Sequence, residues 1–309
     1  MSKDFFLVIN PTSNSGRAKK KIPRIISLFQ EQKLSFDYQV TKQPFEATEL
    51  AAKAAKEGWQ TVVAVGGDGT ICEVISGLLR NSGQKAKTKF GVLHIGTSPD
   101  FNRYHGIPTD LAQAVQVLAK GKSKIIDIGR VEYVDFNKQK KISYFGSNVN
   151  IGLGPQIANK ANARNRTYLG DFLGTLLAVF QSLAGFRPFD LRVNIDGQYK
   201  LFANLLNFTV GKDPYLASGM KVSLPISADD GRLFILSIAK KSLLSTLVNL
   251  PKLYAGNILE YEAARVSYAK KVIIEAPGPN SLVEFDGDTN GYLPATVEVL
   301  PRALEVIVA

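Results

Sequence analysis

The chain has 309 residues, 45% of them hydrophobic, and carries a formal charge of +11. This composition supports a packed core and excludes an intrinsically disordered chain, while the length allows one large or two ordinary domains. A single cysteine, Cys72, excludes an internal disulfide and fits a reducing compartment, so a cytoplasmic protein is expected. Met1-Ser2-Lys3-Asp4 leads straight into an apolar run, Phe5 to Ile9, and does not read as a secretory leader. The most membrane-like stretch, Leu169 to Gly185, contains Asp171, Gln181 and three glycines and is short for a span. It reads as a buried helix. The positive charge is uneven: residues 1–125 hold 18 Lys and Arg against 10 Asp and Glu, and residues 126–309 hold 20 against 17. A basic surface suits nucleotides or anionic lipid headgroups. With no aromatic-basic module, a nucleic-acid partner is not expected. Lys19-Lys20-Lys21 and Lys85, Lys87 and Lys89 by themselves read as solvated lysines.

In the first 124 residues strands alternate with helices. Segments 4–9, 34–40, 61–65 and 90–95 read as strands, and 17–31, 45–57, 70–80 and 109–119 as helices. The alternation predicts an α/β domain, a parallel sheet flanked by helices. Ligands of such sheets sit at the carboxyl ends of the strands. Three polar, glycine-bearing loops fall there, 10–16, 66–70 and 96–103, and Thr41 closes the second strand at the same edge. Gly121-Lys122-Ser123 punctuates the chain, and beyond it the pattern changes. Segments 125–134, 142–151, 189–197, 200–210, 233–238, 271–275, 281–286 and 296–308 read as strands, many with period-two alternation. Asp196-Gly197 is a hairpin signal. Helices are expected near 165–184 and 241–254. The expected organisation is a nucleotide-binding α/β domain, 1–124, followed by a mainly antiparallel β-sandwich, 125–309.

The stretch Val62 to Thr70 carries the strongest local signal. A buried strand runs into Gly66-Gly67-Asp68-Gly69-Thr70, and a helix follows. Three glycines in four positions allow close backbone approach, and amides at a helix start suit a phosphate. Asp68 would repel a bare phosphate, so magnesium or an ordered water is expected between them. The first loop, Asn10-Pro11-Thr12-Ser13-Asn14-Ser15-Gly16-Arg17, offers small polar donors, and Arg17 could grip a phosphate in bidentate fashion. It is no Walker loop, and it reads equally as a helix cap. Gly96 to Arg103 adds a hydroxyl, a carboxylate and a guanidinium, though Ser98-Pro99-Asp100 is also ordinary turn chemistry.

Asn-Pro-x-Ser, Gly-Gly-Asp-Gly-Thr and Gly-Thr-x-x-Asp-Phe-x-Arg, in this order, resemble the diacylglycerol kinase catalytic family, above all its soluble bacterial lipid kinases. Sphingosine and ceramide kinases are relatives. The resemblance extends through Asp127-Ile128-Gly129, Asn150-Ile151-Gly152, Ala228-Asp229-Asp230-Gly231 and Asp286-Gly287-Asp288. Gly-Gly-Asp-Gly-Thr alone is shared with NAD kinases; the ordered set is specific. The resemblance implies an ATP- and Mg2+-dependent lipid kinase with an NAD-kinase-like nucleotide domain and a β-sandwich that helps to hold lipid. Its nucleotide would meet Asn10, Pro11, Thr12, Ser13, Thr41, the turn Gly66, Gly67, Asp68, Gly69 and Thr70, Glu73 and Thr97. Asp288 stands where the family has its catalytic base, and Asp127 matches a second acidic residue associated with catalysis. Ser227, Asp230 and Arg232 match a structural magnesium loop. A homodimer is compatible with the resemblance.

Three departures stand out. Pro99, and Cys72 and Ser76, occupy positions where the family usually has Asn, and Asp288 replaces Glu. Without the family, phosphoryl transfer still needs neutralised charge, positioning and a proton acceptor. Asp288 or Asp127 could be that acceptor. Asp286-Gly287-Asp288 reads equally as a hairpin turn, and Asp229-Asp230-Gly231 as a turn before a strand. Leu169, Phe172, Leu173, Leu176, Phe180 and Leu183 form one helical face, read as core with a share in a lipid pocket. Leu243 to Tyr254, flanked by lysines, suits a membrane surface. His94 and His105 have no metal or triad spacing and receive no role. The expected function is phosphorylation of a lipid hydroxyl, that of diacylglycerol, peripherally at the membrane. A kinase for another amphiphile or a soluble alcohol, and a lipid- or nucleotide-binding protein with little turnover, are the alternatives.

Overall fold

The computed structural model describes residues 3–80, 82, 85–96, 98–160, 183, 185–216, 220–278 and 281–309. The helix expected near 165–184, with its apolar face, lies outside them apart from Leu183. The first part of the chain runs β1 (Phe5–Ile9), α1 (Ile22–Glu31), β2 (Phe36–Val40), α2 (Glu46–Lys56), β3 (Thr61–Gly66), α3 (Asp68–Leu79), β4 (Lys89–His94), α4 (Asp100–His105) and α5 (Leu111–Lys120). The expected helix 17–31 is broken: Arg17–Lys21 is a 3-10 turn and the α-helix starts at Ile22, with Pro23 in its first turn. α1 buries Ile25, Leu28 and Phe29, the helical spacing of one face. α2 and α3 cross closely through small residues; a Cβ on Gly77 would stand 2.3 Å from the Thr48 carbonyl oxygen. α5 is capped at both ends, by the Asp110 carboxylate and by left-handed Gly121.

β1 pairs in parallel with β2 and β3, and β3 pairs in parallel with β4. The register sets Ile9 beside Val40 and Val65, and Gly66 beside His94, so the loops after all four strands open on one edge.

The second part is β-rich: β5 (Ser123–Asp135), β6 (Lys140–Phe145), β7 (Asn148–Gly152), α6 (Leu153–Lys160), β8 (Phe189–Ile195), β9 (Gln198–Gly211), β10 (Tyr215–Leu216), β11 (Met220–Lys221), β12 (Leu233–Ala239), α7 (Leu243–Tyr254), β13 (Ala264–Ala269), β14 (Lys271–Ile274), β15 (Leu282–Phe285) and β16 (Asp288–Ile307). Long β9 pairs with β8 through its first half and with β7 and β12 through its second. β7 then pairs with β15, β15 with β16, β16 with β14 and β14 with β8, all antiparallel, so the pairings close on themselves. Val149, Val193, Phe208, Val210, Val272, Val283 and Val297 fill the interior. Asp196-Gly197 makes the expected tight hairpin, both residues left-handed. The expected strand 142–151 is two strands, because the chain breaks at Gly146-Ser147. β13 escaped the sequence reading, and the last strand starts at Asp288, well before the expected 296. Asn290, Gly291 and Pro294 hide that start, but pairing with β15 and β5 overrides their weak strand preference.

β16 is the seam of the molecule. It pairs antiparallel with β5 from Gly291 to Ile307 and in parallel with β4 at Val306↔Phe90. Its two register shifts fall around Pro294 and Pro301, where a missing amide costs least. One sheet therefore continues from the β-rich part into the parallel part. Leu304 lies fully buried in the core beneath this seam, with Phe90, Ile126 and Val306. Leu304→Ala should cost about 2–5 kcal/mol in chemical denaturation. Trp59 fluorescence, which reports the first part, and far-UV circular dichroism should still give coincident transitions. Separated transitions would show that the seam does not couple the parts.

Candidate active site

The site begins at the turn between β3 and α3. A Cβ on Gly66 would stand 2.3 Å from Thr70 Oγ1, and one on Gly96 would stand 2.6 Å from the Gly67 Cα. Only glycine allows the loops after β3 and β4 to meet backbone to backbone. No side chain caps the start of α3, which leaves its first amides for a ligand. Asn10 Nδ2 donates to Thr70 Oγ1 at 3.0 Å, and Asn10 Oδ1 accepts from the Thr12 amide and hydroxyl at 3.0 and 2.7 Å. These bonds join the loop after β1 to the turn, with Pro11 and Ser13 half-buried beside them. Thr41 is buried and its amide donates to the Ile9 carbonyl oxygen. Arg17 is exposed beyond left-handed Gly16. Glu73 accepts from the Phe45 and Ala47 amides at 3.2 and 3.1 Å, so its carboxylate holds the entry to α2. Thr97 lies outside the described residues.

Residues far along the chain complete the site. Asp286 and Gly287 form a two-residue hairpin turn, both left-handed, with Phe285 paired to Asp288. The turn reading and the acidic-motif reading are therefore the same object. Asp286 points inward and accepts from the amides of Gly146, Ser147 and Asn148 at 3.1, 3.1 and 3.3 Å. Asp288 points outward and is exposed, and a Cβ on Gly69 would stand 2.6 Å from its Oδ2. This contact brings the β-rich part against the glycine turn. Cys72 and Ser76, one turn apart on α3, both donate to the Tyr144 carbonyl oxygen, at 3.1 and 3.3 Å, and help to fix β6 over the helix.

Carboxylates crowd the surroundings of the glycine turn. Burial raises Asp68 well above the usual carboxylate range, and the charges of Asp100, Asp286 and Asp288 push the same way. Its Oδ1 has no hydrogen-bond partner and stands 3.8 Å from His94 Nε2, which has none either. Burial takes His94 down to about 4, so the imidazole is neutral and the contact is no ion pair. Burial lifts Asp286 to about 7 against the pull of its three amides. It lifts Glu284 to about 7 as well, against hydrogen bonds from the Gly287 amide and Asn150. Asp213 is buried and raised, with Oδ2 unpartnered. Asp100 is tied to Ser98 Oγ at 2.9 Å and Arg103 Nη1 at 3.0 Å, so that loop spends its polar groups largely on itself.

Asp127 belongs to a separate cluster. Its Oδ1 accepts from the Arg302 amide at 2.8 Å; its Oδ2 accepts from the Gly231 amide at 2.7 Å and lies 2.8 Å from Lys212 Nζ. Lys212, 2% exposed, also donates to Asp230 Oδ1 at 2.6 Å and to the Arg232 carbonyl oxygen at 3.0 Å. Asp230 Oδ2 accepts from the Ser227 amide and the Arg232 guanidinium. Burial works against the Asp230 charge, but the Lys212 and Ser227 bonds hold it at about 2. As they stand, Ser227, Asp230 and Arg232 do not fit a divalent ion: two of the oxygens it would take are bonded to an ammonium. Among the described residues no group of three or more His, Cys, Asp or Glu side chains forms a metal cluster.

Residues 4–131 match the diacylglycerol kinase catalytic domain, and residues 147–308 match the YegS C-terminal NAD kinase beta sandwich-like domain. The chain belongs to the diacylglycerol kinase catalytic family. It is thus a lipid kinase, a phosphotransferase. It is 27% identical over 310 residues to a diacylglycerol kinase of Staphylococcus carnosus, covering 99% of this chain and 95% of that one. A Staphylococcus aureus diacylglycerol kinase is 28% identical over 99% of this chain and 92% of its own. In structure the kinase resembles a Bacillus anthracis diacylglycerol kinase, with a TM-score of 0.76 and 21% identity over 99% and 97% of the two chains. A yeast NADH kinase shares the fold more distantly, at a TM-score of 0.52 and 11% identity over 99% and 83%.

Sequence reasoning gave His94 no role and passed over Glu284, Lys212 and Asp213. Lys212-Asp213 had a usable signal: two opposite charges directly after the apolar end of β9. His94 had none, because only the β3–β4 register sets it under Asp68.

The raised carboxyls have a measurable consequence. Between their ordinary values, 4.5 and 3.8, and about 7, Glu284 and Asp286 hold protons in the folded chain that the unfolded chain has released. Native stability from these groups therefore falls as pH rises through that window. Lowered His94 opposes this below 6.5, so the carboxyls read cleanly above it. The melting temperature of ligand-free kinase should drop from pH 6.5 to 8, and Glu284→Gln should flatten the drop. A profile that rises over this range would refute the assignment.

Proposed function

We propose that the kinase transfers the γ-phosphoryl group of ATP to a lipid hydroxyl, that of diacylglycerol. The observation that carries this reading is Asp288, an exposed carboxylate from β16 set against Gly69 of the glycine turn. The α/β part, 1–124, would take the nucleotide. Amides at the start of α3, the bonds of Asn10 to Thr70 and Thr12, and Thr41 would line the phosphate and ribose end, with Arg17 at the rim; the family resemblance adds Thr97. The β-sandwich, 125–309, would take the lipid. Asp68, whose buried Oδ1 has no hydrogen-bond partner, would hold the magnesium that accompanies ATP, and that ion would supply neutralisation of phosphate charge. Asp288 would accept the hydroxyl proton. Asp127, with both oxygens engaged, would position the junction and not carry the proton.

A base in this role contributes ~10²–10⁴-fold. Asp288→Asn should lower kcat by about this factor with little change in ATP affinity, in a radiolabelled-ATP assay on lipid mixed micelles. A fully active Asp288→Asn would move the base elsewhere. The same assay on a broad lipid panel separates the alternatives: nucleotide binding with no labelled product would support a binding protein instead.

We also place the kinase peripherally on an anionic, cytoplasmic membrane face. No helix among the described residues is long and apolar enough to cross a membrane. On α7, Leu244 and Val248 sit one turn apart and are 72% and 67% exposed, with Lys240, Lys241 and Lys252 nearby. Screening shortens to about 8 Å at physiological salt, so co-sedimentation with anionic vesicles should weaken as salt rises. Leu244→Ser with Val248→Ser should weaken it further. Binding indifferent to both changes would refute this surface.

A further inference from the structure

We infer that the Lys212 ammonium is the built-in cation of the 227–232 loop and does there what a structural magnesium ion would do. The family resemblance puts that ion on Ser227, Asp230 and Arg232. In this chain Lys212 Nζ bonds Asp230 Oδ1 at 2.6 Å and the Arg232 carbonyl oxygen at 3.0 Å. Its third contact is Asp127 Oδ2 at 2.8 Å. An ammonium has three hydrogens, and all three have an acceptor. The Arg232 guanidinium bonds Asp230 Oδ2 at 3.0 Å, so two single positive charges face the two carboxylates, as one divalent ion would. Magnesium requires oxygens at about 2.1 Å in near-octahedral array and keeps water while it binds. Here the oxygens are spaced for N–H···O bonds, and the Lys212 side chain is 2% exposed.

The placement also gives Lys212 a positioning role. It follows β9, its own amide donates to the Ser147 carbonyl oxygen, and its side chain reaches β5 through Asp127. Asp127 in turn holds the Arg302 amide at the second register shift of β16. One side chain thus links β5, β9 and the loop before β12, next to Asp213, which faces the acidic cleft.

The inference rests on the family assignment and not on which lipid is phosphorylated. The test uses neither ATP nor lipid, so its outcome is separate from that of the kinase reading. Crystals of the full wild-type chain soaked in MnCl2 should show no anomalous peak between Asp230 Oδ1 and the Arg232 carbonyl oxygen. A peak there overturns the inference. Lys212→Met should melt several degrees below wild type in EDTA. It should regain part of the loss in MgCl2, by a larger shift than wild type shows, and its crystals should take up Mn2+ at the loop. A folded Lys212→Met with wild-type melting in EDTA and no metal at the loop also overturns it. Should Lys212→Met fail to fold, the wild-type soak alone decides.

Discussion

Repulsion among buried carboxylates is the constraint around which this molecule is built. Asp68, Asp100, Asp213 and Asp286, with exposed Asp288 beside them, act on one another around the glycine turn, and burial weakens the screening among the inner ones. Such a cluster persists only if each charge is held by donors, left protonated or met by a cation. All three solutions are present. Asp286 takes three backbone amides, Asp100 takes a hydroxyl and a guanidinium, and Asp68 keeps an oxygen without a partner. That oxygen is the one the proposed mechanism assigns to magnesium.

The second cluster shows the opposite solution. Asp127 and Asp230 face Lys212 and Arg232 with every close acceptor occupied. A buried ion pair of this kind adds little net stability over an apolar replacement, but removing one member strands the others at a cost of about 3–5 kcal/mol. Its value is geometric: it fixes where β5, β9 and the 227–232 loop lie relative to the glycine turn. The two clusters are neighbours through Lys212 and Asp213, so one is a closed electrostatic knot and the other an open one.

Much of this was legible in the residues. The β3–turn–α3 signal stood out because three glycines in four positions have few other uses, and the alternation of strand and helix placed its loops on one edge. Asp-Gly at 196–197 and at 286–287 announced hairpins, and both formed. What stayed hidden depended on register. Gly146-Ser147 is a weak local signal for a break, and the Asp286 carboxylate that binds the amides there comes from 139 or more residues away. His94 lies opposite Gly66 only because β3 and β4 pair as they do. The early start of β16 was masked by Asn290, Gly291 and Pro294, whose preferences yield to long-range pairing. The role of Lys212 was hidden for the same reason, as its three acceptors come from three separated segments.

The seam has one more consequence. Many two-part enzymes wrap substrate by swinging one lobe about a thin connection. That motion needs a crossing with few bonds to break. Here β5 and β16 cross together, paired to each other from Gly291 to Ile307, and β16 also holds β4. Lobe rotation would strain this ladder, which is interrupted only at its two register shifts, and disturb the core that Leu304 and Val306 fill. The shared strands therefore favour a fixed relation between the two parts over a hinge.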